Sequence, residues 1–269
     1  FTTCGWMMWN WLLGTLASEA TVVTYDGSPF AQGAKTLWAL CEQDDWHVFG
    51  TSAKYIAAIE KHRYHPGTAH PLHSLKAVLS TGSPLAHESF DFVYRHVKSD
   101  LLLGSISGGT DILSCFCLSC PIRPVHRGEL QCAGLGLAVD VVNEQGESVI
   151  GEKGELVCRL PFPVMPLHFF GDTTGEKYRA AYFERFPGIW AHGDFAEHTE
   201  HDGFVIYGRA DATLNPGGVR IGTAEIYRQV ESVPEVLESL AIGQRTGDDE
   251  RVVLFVVLQD DLALTGELR

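Results

Sequence analysis

Strand-like apolar runs alternate with helix-like segments through the first hundred residues, and this alternation most constrains the fold. The strand-like runs are Thr21–Tyr25, Trp46–Phe49, Leu75–Leu79 and Leu101–Ile106. The helical patterns before and between them cover 7–17, 30–42, 52–60 and 85–97. Such alternation predicts an α/β fold with a parallel sheet layered by helices on both faces. Ligands of such sheets bind beyond the carboxyl ends of the strands.

The pattern changes in the second half of the chain. Short strands and turns from about 127 to 159 predict a β-subdomain, interpreted as a distorted barrel. Past Asp211 a helix at 224–231, capped by Thr223, and strands near 240–243 and at Val252–Leu258 indicate the start of a small α+β domain. We therefore predict three parts. They are an α/β subdomain at 1–124, a β-rich subdomain at 125–210 and the start of a C-terminal domain at 211–269.

Composition limits the partners. The formal net charge is −14, which argues against nucleic acid and anionic membranes as partners. The apolar run Trp6–Leu16 is shorter than the roughly 20 residues that a spanning helix needs. Seven unevenly spaced cysteines fit free thiols in a reducing compartment, so a cytoplasmic location is expected. The chain starts at Phe1 and stops in a polar segment, which suggests a piece of a longer protein.

Two glycine-containing loops follow neighbouring strands of the predicted sheet. One loop is Gly82, Ser83 and Pro84, and the other is Ser107, Gly108, Gly109, Thr110 and Asp111. Glycines at such positions let the backbone approach a flat ring or a phosphate. Thr110 offers a hydroxyl to a phosphate oxygen, and Asp111 offers a hard oxygen ligand for Mg²⁺. Taken singly, these are also ordinary loop residues.

Residues 192–226 concentrate charged groups around two strands, a glycine loop and a helix start. The charged groups are Asp194, Arg209, Asp211 and Arg220. A carboxylate in this setting can accept from two vicinal hydroxyls, and arginines that flank a glycine loop can clamp phosphate. The alternative is a hairpin with surface ion pairs.

Two other clusters raise the question of metal binding. Four histidines lie in 61–74, but Pro66, Gly67 and Pro71 favour a solvated loop. A second cluster consists of Cys115, Cys117, Cys120 and Cys132. No pair in it has zinc-finger spacing, so small buried side chains near a pocket are favoured over a structural zinc.

The ordered motifs carry a family resemblance. HGDF at 192–195 and GRADATLNPGGVRIGTAEI at 208–226 resemble the ribose-binding and hinge motifs of the acyl-adenylate-forming enzymes. These enzymes include acyl-CoA synthetases, luciferases and the adenylation domains of peptide synthetases. GWMMWNW at 5–11, GGTDI at 108–112 and YRAAYFERFPGIWAHGDF at 178–195 are similar to the acetoacetate-activating branch of that superfamily. The resemblance extends over the whole chain.

The resemblance implies an AMP-forming acid–thiol ligase. Acetoacetate would attack ATP to give an acyl-adenylate and pyrophosphate, and coenzyme A would then displace AMP to give acetoacetyl-CoA. ATP, Mg²⁺ and coenzyme A are the implied cofactors, and the partners are small molecules. A ligase for acetate or another short acid is the alternative within this class. A non-catalytic nucleotide-binding remnant is the alternative outside it.

The resemblance also implies roles for the nucleotide-binding residues. Gly82 to Pro84 would cradle adenine, and 105–110 would pack along the nucleotide and end in the phosphate-binding Thr110. Relatives usually carry glutamate where Asp111 stands, so either direct ligation of Mg²⁺ or a bridging water remains open. Asp194 would accept from both ribose hydroxyls.

Further roles fall on the last part of the chain. Arg209 would hold the ribose or phosphate end, and Arg220 would act with Thr110 on the charge that develops at phosphorus. Asp211 matches the hinge of the family. Gly217 and Gly218 would reach the coenzyme A channel.

The acyl pocket and the missing parts complete the expectations. Trp6, Met7, Met8 and Trp9 would wall the acyl pocket, or else belong to a helix packed in the core. Relatives carry a phosphate loop that ends in lysine before the first motif, and an adenylation lysine in the small domain. Neither is found here, so the chain alone is expected to turn over poorly or not at all.

Overall fold

A three-stranded parallel sheet forms the first part of the fold. In a computed structural model that describes residues 2–216, 219–246, 249–259 and 262–266, its strands are β1 (Val48–Ser52), β2 (Ala77–Thr81) and β3 (Leu102–Ser105). They pair in the order β1-β2-β3, in parallel throughout. The predicted parallel sheet is therefore confirmed.

Helices precede and connect these strands. They are α1 (Met8–Gly14), which continues as a 3₁₀ turn at Thr15–Ser18, α2 (Thr36–Gln43), α3 (Ala53–Lys61), α4 (Pro66–Ala69) and α5 (His87–Phe92), which continues as a π turn at Val93–Val97. Trp38, Ile56 and Phe90 from these helices share one buried cluster with Phe49 and Val78 of the sheet. On the opposite face, Val48 is 55% exposed, so the expected cover on both faces is only partial.

Thr21–Tyr25 is not the buried strand that its apolar residues predict. It is irregular backbone, and Val23 and Tyr25 are exposed. A strand needs a neighbour to take its backbone hydrogen bonds. None of the described strands pairs with this segment.

The β-rich part contains two open antiparallel sheets. The smaller sheet has β4 (Ser107–Gly109), β5 (Ser114–Leu118) and β6 (Cys132–Ala133). The larger has β7 (Val139–Val142), β8 (Lys153–Cys158), β9 (Trp190–His198) and β10 (Phe204–Arg209), in the order β10-β9-β8-β7. Helix α6 (Glu176–Phe183) packs on β9, where the rings of Tyr182 and Trp190 stack with centroids 3.6 Å apart.

The predicted barrel is wrong, because no ladder among the described residues joins β10 to β7. The chain that follows β10 lies against this strand instead. A Cβ added to Gly208 would lie 2.8 Å from Thr223 Oγ1, and one added to Gly222 would lie 2.4 Å from the Tyr207 carbonyl oxygen. This close packing occupies the space beside β10.

The last part contains α7 (Thr223–Glu231) and a hairpin of β11 (Val236–Thr246) and β12 (Asp249–Leu258). The predicted helix and strands are present, although Thr223 is not the cap. Gly222 precedes the helix, and its N–H donates to Glu225 Oε1 at 2.9 Å. Two lysines of α3 contact β11: Lys54 pairs with Glu238, and Lys61 donates to the Val236 carbonyl oxygen at 2.6 Å. The boundaries at 124 and 210 remain predictions.

All seven cysteines are free thiols, as their spacing predicts. Within the described ranges, no helix is both long and apolar enough to cross a bilayer.

Candidate active site

The two glycine loops lie side by side at the carboxyl edge of the parallel sheet. Strands β2 and β3 run in parallel, and Ser80 pairs with Ser105 just before both loops begin. The Ile106 N–H donates to the Ser80 carbonyl oxygen at 3.0 Å, and Thr81 Oγ1 donates to the Ile106 carbonyl oxygen at 3.4 Å. Gly82 has φ +90°, a conformation that favours glycine. The structure thus brings Gly82–Pro84 next to Ser107–Gly109.

Thr110 and Asp111 begin a short 3₁₀ turn and are both exposed. Burial raises the pKa of Tyr182, and the negative charge of the neighbouring Asp111 raises that pKa further. An exposed carboxylate next to the Thr110 hydroxyl is a suitable hard ligand for a magnesium ion that also binds phosphate oxygens.

His192 of β9 lies between this loop and the ribose-binding candidate Asp194. Its side chain is 6% exposed, and its ring packs on Phe116 with centroids 4.5 Å apart. A Cβ added to Gly109 would lie only 2.7 Å from His192 Cε1. His192 Nε2 lies 3.9 Å from Asp194 Oδ2. This ring therefore joins the 107–111 loop to the end of β9.

Asp194 and Arg209 form a pair across β9 and β10. The two residues are partners in the antiparallel ladder, and Arg209 Nη1 donates to Asp194 Oδ1 at 3.1 Å. The same nitrogen donates to the His192 carbonyl oxygen at 3.0 Å. A Cβ added to Gly193, which has φ +81°, would lie 2.5 Å from Arg209 Nη2. Gly193 thus allows the guanidinium to lie directly against the strand.

Burial dominates the electrostatics of this pair. It raises the pKa of Asp194, while His192 and Arg209 act in the opposite direction. It lowers the pKa of His192, although the negative charges of Asp194 and Asp111 oppose this shift. The site therefore combines a neutral imidazole with a carboxylate that a single guanidinium holds.

Arg220 lies elsewhere. Its guanidinium packs over the Phe195 ring at 5.0 Å, and Nη1 lies 3.5 Å from Glu144 Oε1. It lines a cavity of about 380 Å³ together with Lys153 and Glu155, among others. Because successive side chains of a strand point to opposite faces, Phe195 and Arg220 lie on the other face of β9 from Asp194. The structure does not bring Arg220 to the group formed by the 107–111 segment, His192 and Asp194.

The remaining candidates in this part of the chain are Asp211, Gly217 and Gly218. Asp211 is exposed, and its Oδ1 lies 3.4 Å from Arg209 Nε. Gly217 and Gly218 lie outside the described residues.

The N-terminal segment is not part of the core. Trp6, Met7, Met8 and Trp9 are half-buried, and α1 contains no buried residue. The alternative of a core helix is therefore wrong, and the acyl-pocket role remains a prediction.

The histidine and cysteine clusters do not assemble as metal sites. Among the described residues, no group of three or more metal-ligating side chains is placed to hold an ion. His65 stacks on His96 with centroids 4.0 Å apart, and His70 pairs with Glu42 at 2.7 Å. Cys117 is fully buried, and Cys132 is half-buried, with its Sγ 3.7 Å from the Leu118 carbonyl oxygen.

Sequence reasoning missed two residues beside the candidate site, His192 and Tyr182. His192 stands inside the HGDF motif, two positions before Asp194, which in a strand puts both side chains on one face. That spacing could have identified it. Nothing in the sequence marks Tyr182, because its contact with Asp111 depends on how α6 packs.

Comparison with known proteins identifies the family of the chain. Residues 2–166 match the family described as "AMP-binding enzyme". This match covers more than half of the chain, and the chain belongs to this family.

Individual relatives with high sequence identity to this chain are acetoacetyl-CoA synthetases. That of Rhizobium meliloti is 60% identical over 268 residues, which are 100% of this chain and 41% of the relative. That of Xenopus tropicalis is 48% identical over 270 residues, 100% of this chain and 40% of the relative. The predicted resemblance is therefore confirmed, and the chain spans about two fifths of the length of these relatives.

Solved structures agree on the fold. Acetoacetyl-CoA synthetase from Streptomyces lividans matches with a TM-score of 0.90 and 40% identity, over 100% of this chain and 41% of that one. An anthranilate CoA ligase in complex with anthranoyl-AMP matches with a TM-score of 0.73 and 20% identity, over 93% of this chain and 46% of that one. The second match concerns the fold alone.

Proposed function

We propose that this chain carries the adenylate-binding part of an AMP-forming ligase that joins acetoacetate to coenzyme A. The observation that carries the proposal is a chain of contacts, in which His192 joins the 107–111 segment to the Asp194–Arg209 pair. The names and high identity of the relatives support acetoacetate as the acid.

The first step would join two anions, so the protein must offset negative charge at the α-phosphorus. The carboxylate of acetoacetate attacks this phosphorus, and pyrophosphate leaves. The Thr110 hydroxyl donates to a phosphate oxygen, while Asp194 accepts from the two ribose hydroxyls and Arg209 holds Asp194 in place. Fixed donors and acceptors of this kind lower the barrier because they need no reorganisation during the reaction.

A magnesium ion, when bound, would supply positive charge to the phosphate oxygens. Asp111 would hold it, directly or through water, because its carboxylate is exposed and directly follows the phosphate-binding Thr110 in the same turn.

Arg220 would act at the phosphate end only after the 211–222 segment moves. In the present arrangement, its guanidinium lies over Phe195, on the other face of β9. Rotation about Asp211 would release it and bring Gly217 and Gly218 to the coenzyme A channel for the second step. There the thiol attacks the acyl carbon, and AMP leaves.

The adenine and acyl subsites complete the proposal. Gly82, Ser83 and Pro84 would cradle adenine beside the 107–109 strand, and Trp6, Met7 and Trp9 would wall the acyl pocket. A cytoplasmic location is part of the same proposal, supported by seven free thiols.

The test is a substrate panel on the full-length protein that contains this chain. Acetoacetate, acetate and other short acids are each supplied with ATP, Mg²⁺ and coenzyme A, and AMP and thioester are quantified. We expect acetoacetate to give the highest kcat/KM. Preference for acetate would support the alternative ligase, and AMP binding without turnover of any acid would support a non-catalytic nucleotide-binding protein.

The 269-residue chain is tested beside it. We propose that this piece alone binds adenine nucleotide weakly and turns over poorly or not at all. Acetoacetate-dependent pyrophosphate release near the rate of the full-length protein would contradict this.

A further inference from the structure

His192 occupies a position that the ligase chemistry described above leaves without a role. It is nine-tenths buried, and its ring separates two nucleotide-binding segments: the 107–111 loop on one side and the Asp194 carboxylate on the other. Within the described part of the chain, its Nδ1 makes no hydrogen bond. A buried histidine that lacks full hydrogen bonding costs stability, so its packing requires explanation.

The contacts of the ring fix two segments at once. Gly109 must lack a side chain, because any Cβ would lie 2.7 Å from His192 Cε1. Phe116 of β5 closes the ring from another side, with centroids 4.5 Å apart. The ring therefore cannot shift without moving either the glycine loop or Phe116 of β5.

The two oxygens of Asp194 have different surroundings. Oδ1 accepts a hydrogen bond from Arg209 at 3.1 Å. Oδ2 faces His192 Nε2 at 3.9 Å, which is too long for a hydrogen bond but within the range of a polar packing contact. Arg209 thus holds one oxygen, and the imidazole backs the other.

From this geometry we infer that His192 is a positioning residue, which sets the Asp194 carboxylate for recognition of both ribose hydroxyls relative to the phosphate-binding loop. This inference rests on the proposed function, since it assumes that the ribose binds at Asp194. It makes a specific demand: loss of His192 should weaken recognition of the 2′-hydroxyl more than recognition of the rest of the nucleotide.

The experiment measures binding of AMP and of 2′-deoxy-AMP to the full-length protein by calorimetry. Two variants are compared with the parent: His192→Ala, which removes the ring, and His192→Phe, which keeps a ring without its nitrogens. We expect the alanine variant to bind AMP about tenfold more weakly, while its affinity for 2′-deoxy-AMP falls less, because this nucleotide can make only one of the two hydroxyl contacts with Asp194. The affinity ratio of the two nucleotides then falls towards one.

The matched control is His198→Ala. His198 lies on the same strand, its ring stacks on Phe204 with centroids 4.7 Å apart, and its Nε2 lies 3.2 Å from Asp202 Oδ1. It resembles His192 in its place on β9, its aromatic contact and its acidic neighbour, but it is less buried and lies four residues beyond Asp194. Its loss should leave the nucleotide ratio at the parent value.

The ratio separates positioning from general destabilisation, because a loosened fold lowers both affinities by the same factor. A fall in the ratio for the alanine variant alone supports the inference and assigns the effect to ring volume. A fall in both variants also supports the inference, and it shows that the ring nitrogens of His192 are needed as well. An unchanged ratio in both folded variants overturns it.

Two further outcomes keep the test decisive. If the alanine variant does not fold, the phenylalanine variant and His192→Gln are measured in the same way, and an unchanged ratio in these overturns the inference. If the parent protein itself does not prefer AMP to 2′-deoxy-AMP, the proposed ribose site is wrong, which is a different failure.

In steady-state assays of the His192→Ala variant, the KM for ATP should rise while the KM values for acetoacetate and coenzyme A stay unchanged.

Discussion

The proposed ribose end of the site, at Asp194, and its proposed phosphate end, at Thr110, differ in how far the protein has assembled them. At the ribose end, the Asp194 side chain is 10% exposed and is held by Arg209 and by the buried His192. At the phosphate end, Thr110 and Asp111 are exposed, and Arg220 lies on the opposite face of β9. If the proposed roles hold, ribose recognition is preorganised, whereas charge neutralisation at phosphorus requires Arg220 to move from its present position over Phe195.

The largest effect should follow from Asp194→Asn. The amide cannot accept from both ribose hydroxyls as a carboxylate does, so AMP affinity of the full-length protein should fall about 100-fold by calorimetry. Asp202→Asn is the control, because Asp202 is an exposed turn residue whose φ of +59° asparagine tolerates. If Asp194→Asn lowers AMP affinity less than threefold, Asp194 does not bind the ribose, and the proposed ribose end is wrong.

Gly109→Ala should have the next largest effect. The backbone of Gly109 is extended, with φ −148°, so alanine fits the backbone, and the strain comes from the 2.7 Å approach to His192. We expect the free energy of unfolding to fall by about 1–3 kcal/mol and AMP affinity to fall about tenfold. Gly5→Ala is the control, since nothing lies within 4 Å of its added Cβ. Equal stability of both variants would contradict close packing of loop and ring.

A pH titration of AMP affinity should test the role of the ionised Asp194 carboxylate at the ribose end. Burial raises the pKa of Asp194, and only the ionised carboxylate accepts from both hydroxyls. AMP affinity should therefore fall on acidification at a higher pH than for an ordinary aspartate, whose pKa is about 3.9.

On acidification, the contribution of Asp194 to the free energy of unfolding should change in the direction opposite to AMP affinity. The folded state binds the Asp194 proton more tightly than the unfolded state, so this carboxyl favours folding increasingly as the pH falls through its raised pKa. Calorimetry of AMP binding and chemical unfolding from about pH 7 down to about pH 4, where an ordinary aspartate titrates, would measure both trends. Asp194→Asn should lose both, and an AMP affinity that is constant over this range would contradict the raised pKa.

The smallest effect on AMP binding should come from Arg220→Gln. Its guanidinium contacts Phe195 and the exposed Glu144 and lies away from the ribose end, so AMP affinity should change less than about twofold. Pyrophosphate release from ATP and acetoacetate should slow at least tenfold, because the phosphate end then loses the positive charge of the guanidinium. A large loss of AMP affinity would show that Arg220 already belongs to the ribose end.

Much of the fold followed from local patterns. Strands β1, β2 and β3 were predictable because buried parallel strands are short apolar runs between helices. Thr21–Tyr25 has the same composition, yet it forms no strand, because pairing depends on a neighbour that composition does not specify. The barrel was wrong for a related reason: strand propensity identifies β7 to β10, but sheet closure depends on what packs beside β10.

The candidate site divides in the same way. Asp194 and Arg209 were predictable as a pair of motif residues, and the ladder places them directly opposite each other. The position of Arg220 was not predictable, because it depends on how the chain turns after Asp211. His192 was overlooked because a histidine beside a glycine can be an ordinary core residue, and only its distance to Gly109 reveals the link between the two segments.

The most direct test of the central claim is a crystal structure of the full-length protein with a non-hydrolysable acyl-adenylate analogue. We predict both ribose hydroxyls within about 3 Å of the Asp194 carboxylate, with the Thr110 hydroxyl at the phosphate on the same molecule. An adenylate bound away from Asp194, or one that reaches Asp194 but not the 107–111 loop, would contradict the account.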